Sequence, residues 1–315
     1  MTGSVTIDGV DISTFGMFIL KGGDYDFLPF PDRKEPEQNN WHDYNGVDVD
    51  LSEIYFKEKR VIVRFYIAND TTQDFLSNLN AFYTLISKPG YRQLYSRDFD
   101  KTFSLRYVSC PDYSHKGGLY KYGRKRGELT VEFSMDAPIQ LFTRPTLLQP
   151  VGGRASITHV QINGYDLAAF GIIVNEAYNT VLNLPAVKPP LIRSFERRSG
   201  LLVHTPADIA YETKQIVINC TMTANTRAEF YTNYEALFNN LTLTTAAVSL
   251  RTYEGTEDCY YTAMQGFKKL RPFGSRIIVE FSLVLTAIAP GMRVYVLGTT
   301  DNRILLTIAG QAIKI

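Results

Sequence analysis

Val5-Thr6-Ile7-Asp8-Gly9-Val10-Asp11, followed by Phe15-Gly16, returns as Val160-Gln161-Ile162-Asn163-Gly164-Tyr165-Asp166, followed by Phe170-Gly171. The spacing is 155 residues throughout. In both stretches alternating residues run into Asp-Gly or Asn-Gly, the strongest short hairpin signal a sequence carries. The same spacing aligns Val61-Ile62-Val63 with Ile216-Val217-Ile218. It also places Thr71, Phe75, Asn78 and Ala81 on Thr226, Phe230, Asn233 and Ala236. Near the end, Val131-Glu132-Phe133-Ser134 recurs identically as Val279-Glu280-Phe281-Ser282, now at a spacing of 148. That difference implies a net loss of about seven residues from the second copy, expected in the loop after Cys110. Agreement along one register in several different elements is the mark of a tandem duplication.

The expected organisation is a first unit over 1–146, a linker over 147–153, a second unit over 154–290 and a β-rich extension over 291–315. Each unit is long enough to bury a core of its own. After the opening hairpin comes a stretch richer in proline and charge, 29–36 in one copy and 185–190 in the other. Dense β-branched strands follow, Arg60 to Ile67 and Gln215 to Met222. The period then changes. Phe75, Leu76, Leu79, Phe82, Tyr83 and Ile86 fall at helical spacing, and Phe230, Tyr231, Tyr234, Leu237, Phe238 and Leu241 repeat the stripe. Thr226-x-x-Glu229 is a capping box, Thr71-x-x-Asp74 a weaker one, and Pro89-Gly90 stops the first helix. Further strands, around Gln93 to Tyr95, Thr102 to Val108 and Glu128 to Met135, complete the unit. The fold class expected is α+β and mainly β: two tandem split barrels or sandwiches, each with one packed helix.

Composition narrows the function. A hydrophobic content of 45% with 21% charged residues excludes a disordered chain. The net charge of +1 supplies no bulk field toward nucleic acid or anionic lipid. Neither a secretory leader nor an apolar run long enough to span a bilayer is visible, so folding in a cytoplasm is expected. Cys110, Cys220 and Cys259 form no CxxC pair and are expected to be reduced thiols. Twenty Tyr and 19 Phe against one Trp favour pleated surfaces and protein interfaces.

Residues able to do chemistry are scarce. His42, His115, His159 and His204 sit at no metal-ligand spacing, and no nucleophile elbow or phosphate loop occurs. Asp98 and Asp100 are expected to be turn formers. No catalytic, cofactor-binding or metal-binding residue is therefore assigned, and the chain is not expected to be an enzyme. One charged feature stands out: the segment from His115 to Gly127 holds five Lys/Arg, two Tyr and four Gly. A strand follows it rather than a helix, so it reads as a hairpin that contacts another protein more readily than as a phosphate loop.

The element order, opened by a strand ending in N/D-G-x-D-h-s-x-F-G, resembles the N-terminal domain of siphophage distal tail proteins. The residues that carry the likeness are Asp8, Gly9, Asp11, Ile12 and Phe15, and again Asn163, Gly164, Asp166, Leu167 and Phe170. That family shares its split barrel-plus-helix fold with tail-tube proteins. The resemblance implies a virion tail component forming a ring that DNA passes through without specific binding. Its partners would be further copies of itself, as a hexamer or pseudo-hexameric trimer, together with tail-tube and hub proteins. A second tube-like unit here takes the place of the usual different C-terminal module. A carbohydrate- or receptor-binding module of the tail tip is the alternative, since Tyr-rich β proteins often bind glycans. Aromatics recurring at matching positions in both copies suit core packing better.

Overall fold

The computed structural model describes residues 5–117, 122–142, 149–152, 158–190, 192–197, 199–203, 209–242, 246–274 and 276–290. The first half contains β1 (Val5–Ile7), β2 (Val10–Asp11), β3 (Met17–Ile19), β4 (Gln38–Asn39), β5 (Asp48–Val49), β6 (Lys59–Asn69), α1 (Thr72–Ile86), β7 (Tyr91–Ser96), β8 (Lys101–Lys116) and β9 (Lys125–Met135). The second contains β10 (Gln161–Ile162), β11 (Tyr165–Asp166), β12 (Ile172–Glu176), the single turn α2 (Tyr178–Val181), β13 (Ile192–Ser194) and β14 (Leu201–Val203). It continues with β15 (Lys214–Ala224), α3 (Arg227–Thr242), β16 (Val248–Thr252), β17 (Gly255–Lys269) and β18 (Ile277–Ala287). The chain is thus mainly β with few helices.

Asp8 and Gly9 both lie at positive φ, 49° and 80°, and so do Asn163 and Gly164, 50° and 82°. A two-residue primed turn requires that left-handed pair, and it folds β1 on β2 and β10 on β11. Asp11 and Asp166 then cap short 3-10 turns by accepting from the backbone N–H of Ser13 and Ala168. Gly16, at φ 70°, ends the first of these turns. A Cβ there would lie 2.5 Å from the Ala68 carbonyl oxygen, so only glycine fits.

Two seven-stranded antiparallel sheets result, with matching orders: β2-β1-β7-β8-β9-β6-β3 and β11-β10-β16-β17-β18-β15-β12. Neither sheet can be flat. Its outer strands, β2 and β3, are joined by only Ile12–Gly16, a reach of about 20 Å, whereas seven flat strands span about 29 Å. The sheet must curl until its edges approach each other, and the second sheet obeys the same constraint. Each helix lies on its sheet through most of the stripe read from the sequence, although Leu76 of that stripe is exposed. Phe75, Phe82 and Ile86 are fully buried in α1, as are Phe230, Leu237 and Phe238 in α3. Thr71 and Thr226 cap them, their hydroxyls accepting from the N–H of Asp74 and Glu229. Buried apolar residues of the two halves join in one continuous core.

The ladders correct one alignment. Met17 pairs with Ile67 and Ile172 with Met222, which keeps the 155 spacing through the start of each sheet. Lys59 pairs with Met135 but Lys214 with Ala287, so the last strands correspond at a spacing of 152. Val131 and Phe133 therefore stand where Leu283 and Leu285 stand, and the identical Val-Glu-Phe-Ser quartets are not at equivalent positions. A four-residue offset keeps the inward and outward faces of a strand in phase, so the two quartets match in pattern without being equivalent. The hairpin after β8 is also no large insertion. Lys116 opposite Arg126 and Leu270 opposite Ile278 leave the first-half loop only two residues longer.

Replacing Phe75 or Phe230 with Ala is expected to cost about 3–5 kcal/mol each, as for other buried aromatic truncations. Chemical denaturation checks it; unchanged midpoints would place the stripe at a surface.

Candidate assembly interface

Between β3 and β6, and again between β12 and β15, the chain leaves its sheet as a long arm. The two arms are built alike. Each carries an isolated bridge at its base, Arg33 with Phe56 and Val187 with Tyr211. Each ends in a small hairpin of matching register, Gln38 opposite Val49 and Ile192 opposite Val203. Each is tied to its sheet by a lysine at the start of the following strand. Lys59 Nζ donates to the carbonyls of Phe27 and Pro29 at 2.9 and 2.7 Å. Lys214 Nζ donates to those of Val181 and Asn183 at 2.7 and 3.3 Å.

The first arm lies on the second half. Phe30, 1% exposed, enters a cage made by Tyr234 and Phe238 of α3, Tyr261 of β17 and Phe142. Its ring centroid is 4.3 Å from that of Tyr234 and 4.7 Å from that of Phe238. Phe56 adds a second contact on Phe238. Backbone bonds fix the register: Arg33 N–H donates to Thr262 O at 2.9 Å, and the Tyr234 hydroxyl to Leu28 O at 2.9 Å. The Arg33 guanidinium lies over the Tyr260 ring. At the tip, Gly46 and Val47 donate to the carbonyls of Tyr211 and Ile288. Lys188 Nζ closes the tip by donating to Trp41 O and Gly46 O, both at 2.6 Å.

Charge holds the opposite end of the seam. Lys269 Nζ lies 2.5 Å from Asp24 and also bonds Asp98, whose other oxygen accepts from Phe273 N–H at 2.8 Å. Burial alone would lower Lys269, but Asp24 and Asp98 together hold it above the ordinary lysine value. Burial lifts Asp24 in spite of Lys269. One cation between two carboxylates is the charged arrangement that makes this site stable at neutral pH. Arg227 reaches across to Asp100 at 3.4 Å, and Lys101 to Glu235 at 3.2 Å. Asp98 and Asp100, expected only as turn formers, therefore also join the halves. The only sequence signal was that this turn is two residues longer than its counterpart at Thr252–Gly255.

A cleft of about 760 Å³ opens on the seam, lined among others by Tyr25, Asp26, Phe30, Lys59 and Phe267. Burial pushes Lys59 down to about 7, against the pull of Asp26 and Asp32. Its amine is committed to two carbonyls, however, and Lys214 repeats the arrangement away from this cleft, so Lys59 is an arm clamp rather than a reactive group. Among the described residues, no cluster of three His, Cys, Asp or Glu could hold a metal ion. His42 is exposed, His115 packs edge-on to Phe75, and His159 stacks on Tyr253 at 4.3 Å. His204 lies outside the described residues. The three cysteines are free, and burial raises each thiol.

The basic segment after His115 is described except for 118–121. Lys116 pairs with Glu128 at 3.5 Å, Arg124 pairs with Asp70 at 3.0 Å, and Lys125 is buried. Most of its described charge is thus spent within the fold. The extension over 291–315 and residues 147, 148 and 153 of the linker lie outside the described residues. Val151 is held by Asn233 of α3 through both its N–H and its carbonyl. No helix among the described residues is long and apolar enough to cross a membrane.

No protein-family model and no curated protein matches this chain. Among solved structures it is similar to the crystal structure of SPP1 Dit (gp 19.1), described as a paradigm of the hub adsorption apparatus in phages infecting Gram-positive bacteria. That likeness has 10% identity and a TM-score of 0.33 over 90% of this chain and 98% of that one, a level that fixes neither fold nor role.

Lys269→Met leaves Asp24 and Asp98 facing each other with no cation, and the loss expected is about 3 kcal/mol. Adding Asp24→Asn and Asp98→Asn to that variant is expected to restore most of it. Because Lys269 is raised, its contribution is present below the ordinary lysine value and is lost as pH rises through the elevated one. Thermal melts between about pH 9 and 12 are expected to fall more steeply in the wild type than in Lys269→Met; parallel curves would remove the charge from the seam.

Proposed function

We propose that this chain is a structural component of a phage-type tail tip or baseplate. It forms a ring around the DNA channel and joins the tail tube to distal tail proteins. In this reading residues 1–146 and 154–290 are duplicated tube-like split barrels, and the chain is no enzyme. The observation that carries it is the seating of one half's arm on the helix and long strand of the other. Two like units packed unit-to-unit, rather than through a mirrored face, are what a segment cut from a ring contains. The curled sheets support it, since edges brought close to each other leave the arms as the segments free to reach a neighbour. The resemblance of both opening motifs to distal tail proteins supplies the tail context.

DNA passes such a ring without being read. The net charge of +1 supports this, because a lumen lined with many free cations would hold phosphates in strongly salt-dependent contact. The dense aromatic cage around Phe30 offers no glycan site, because it is filled by the protein itself.

Native mass spectrometry and negative-stain images of the purified chain are expected to give a closed ring with a central channel, of three or six chains. Antibodies against it are expected to label the tail tip of intact particles. A monomer at high concentration, even with tail-tube protein present, overturns the reading.

A further inference from the structure

The two arms are alike in build but opposite in exposure. Position by position, Leu28, Phe30 and Arg33 of the first arm correspond to Leu182, Leu184 and Val187 of the second, as fixed by the bridges and lysine clamps. The first three are 3%, 1% and 6% exposed; the second three are 56%, 63% and 52% exposed. The hairpin beyond is exposed as well, with Ile192, Leu201, Leu202 and Val203 on its surface. A cluster of exposed aliphatic side chains of this size on one arm marks an interaction site.

The receiving face shows the complementary asymmetry. The β7–β8 and β16–β17 ladders match Tyr107, Val108 and Tyr113 with Tyr261, Thr262 and Phe267. The helix register matches Leu76 and Tyr83 with Tyr231 and Phe238. In the second half this face lies under the first arm: Tyr261, Phe267 and Phe238 are buried. In the first half the same face is open, with Leu76, Val108 and Tyr113 exposed at 44%, 46% and 41%. Its residues are apolar, as the residues under the first arm are.

We infer that the second arm docks on the β8–α1 face of another copy of this chain, repeating between chains the contact that the first arm makes within one. The occupant is a second copy because, among the described residues, each chain carries both an uncovered arm and an uncovered receiving face of matching chemistry. Leu184 takes the place of Phe30 over Tyr83 and Tyr107, and the backbone around Val187 pairs along β8 near Val108, as Arg33 pairs with Thr262. Such a contact is head-to-tail, so it propagates until it closes. It places both units of every chain in one layer rather than in stacked rings. The inference rests on the ring reading above for its closure but names the surface independently.

Complementary variants of the full chain test it. Leu184→Asp with Leu201→Asp removes the arm, and Leu76→Asp with Val108→Asp removes the face. All four positions are exposed, so thermal unfolding of the monomer is expected to be unchanged. Each double variant is expected to weaken self-association by at least about 30-fold and to run as a monomer in sedimentation velocity. Mixed in equal amounts, the two are expected to form a dimer and nothing larger, because one intact arm meets one intact face. A mixture that stays monomeric, or an arm variant that assembles as the wild type does, overturns this inference. In the second case the ring and its tail role stand, held by another surface. A wild type that never associates overturns both.

Discussion

Phe30 is the residue on which the arrangement of the two halves turns. It is carried by a first-half arm yet spends its whole ring among Tyr234, Phe238, Tyr261 and Phe142. Burying an aromatic of that size stabilises by several times thermal energy, about 2–3 kcal/mol before ring-ring geometry is counted. The arm is long and has little sheet of its own: two-residue strands β4 and β5 are not stable in isolation. It is therefore ordered by what it lies on. Arg33 and Leu28 place their backbone groups against Thr262 and Tyr234 only because Phe30 is anchored between them. Lys59 fixes the other end of the lever by holding the carbonyls of Phe27 and Pro29.

The polar end of the seam depends on the same anchor. Lys269 can sit between Asp24 and Asp98 only while the arm's first turn and the β7–β8 turn lie side by side. In water such a triad would contribute little, because exposed pairs are worth at most about 1 kcal/mol. The partial burial that makes it matter comes from the aromatic packing of Phe99 and Phe273 beside it. Apolar contact sets the distance, and charge then fixes the register. The order of cause runs from packing to pairing.

Much of this is legible in the sequence. Asp-Gly and Asn-Gly specified primed turns because few residues tolerate two successive left-handed conformations, and Phe75 and Phe230 announced their helices by period alone. The strand read at Arg60 to Ile67 runs Lys59–Asn69, and its partner at Gln215 to Met222 runs Lys214–Ala224. What stayed hidden was everything carried by pairing between distant segments. The stretch around 29–36 looked irregular because its backbone partners, such as Thr262, lie more than two hundred residues away. Asp98 looked like a turn former because aspartate in a turn satisfies its own loop first, and nothing local reveals that Lys269 will arrive. The Val-Glu-Phe-Ser quartets misled for a related reason. A strand repeats its environment every second residue, so a four-residue slip costs nothing in pattern and only the ladder exposes it.

The two arms differ in a consistent direction. An arm lying in water is ordinarily polar, as exposed strands and loops are. The second arm instead carries Leu182, Leu184, Val187, Ile192, Leu201, Leu202 and Val203, whereas the first arm's own hairpin carries Gln38, Asn39 and Asp48. The receiving faces differ as well. Where Phe30 docks, the face is built of rings and sulfur, with Tyr234, Phe238 and Met264; where Leu184 would dock, the counterparts are Leu79, Tyr83 and Cys110, smaller on average. An exposed apolar arm and an exposed apolar face on one chain make physical sense together only if the two meet, and within a single chain the face on the second half is already taken by the first arm.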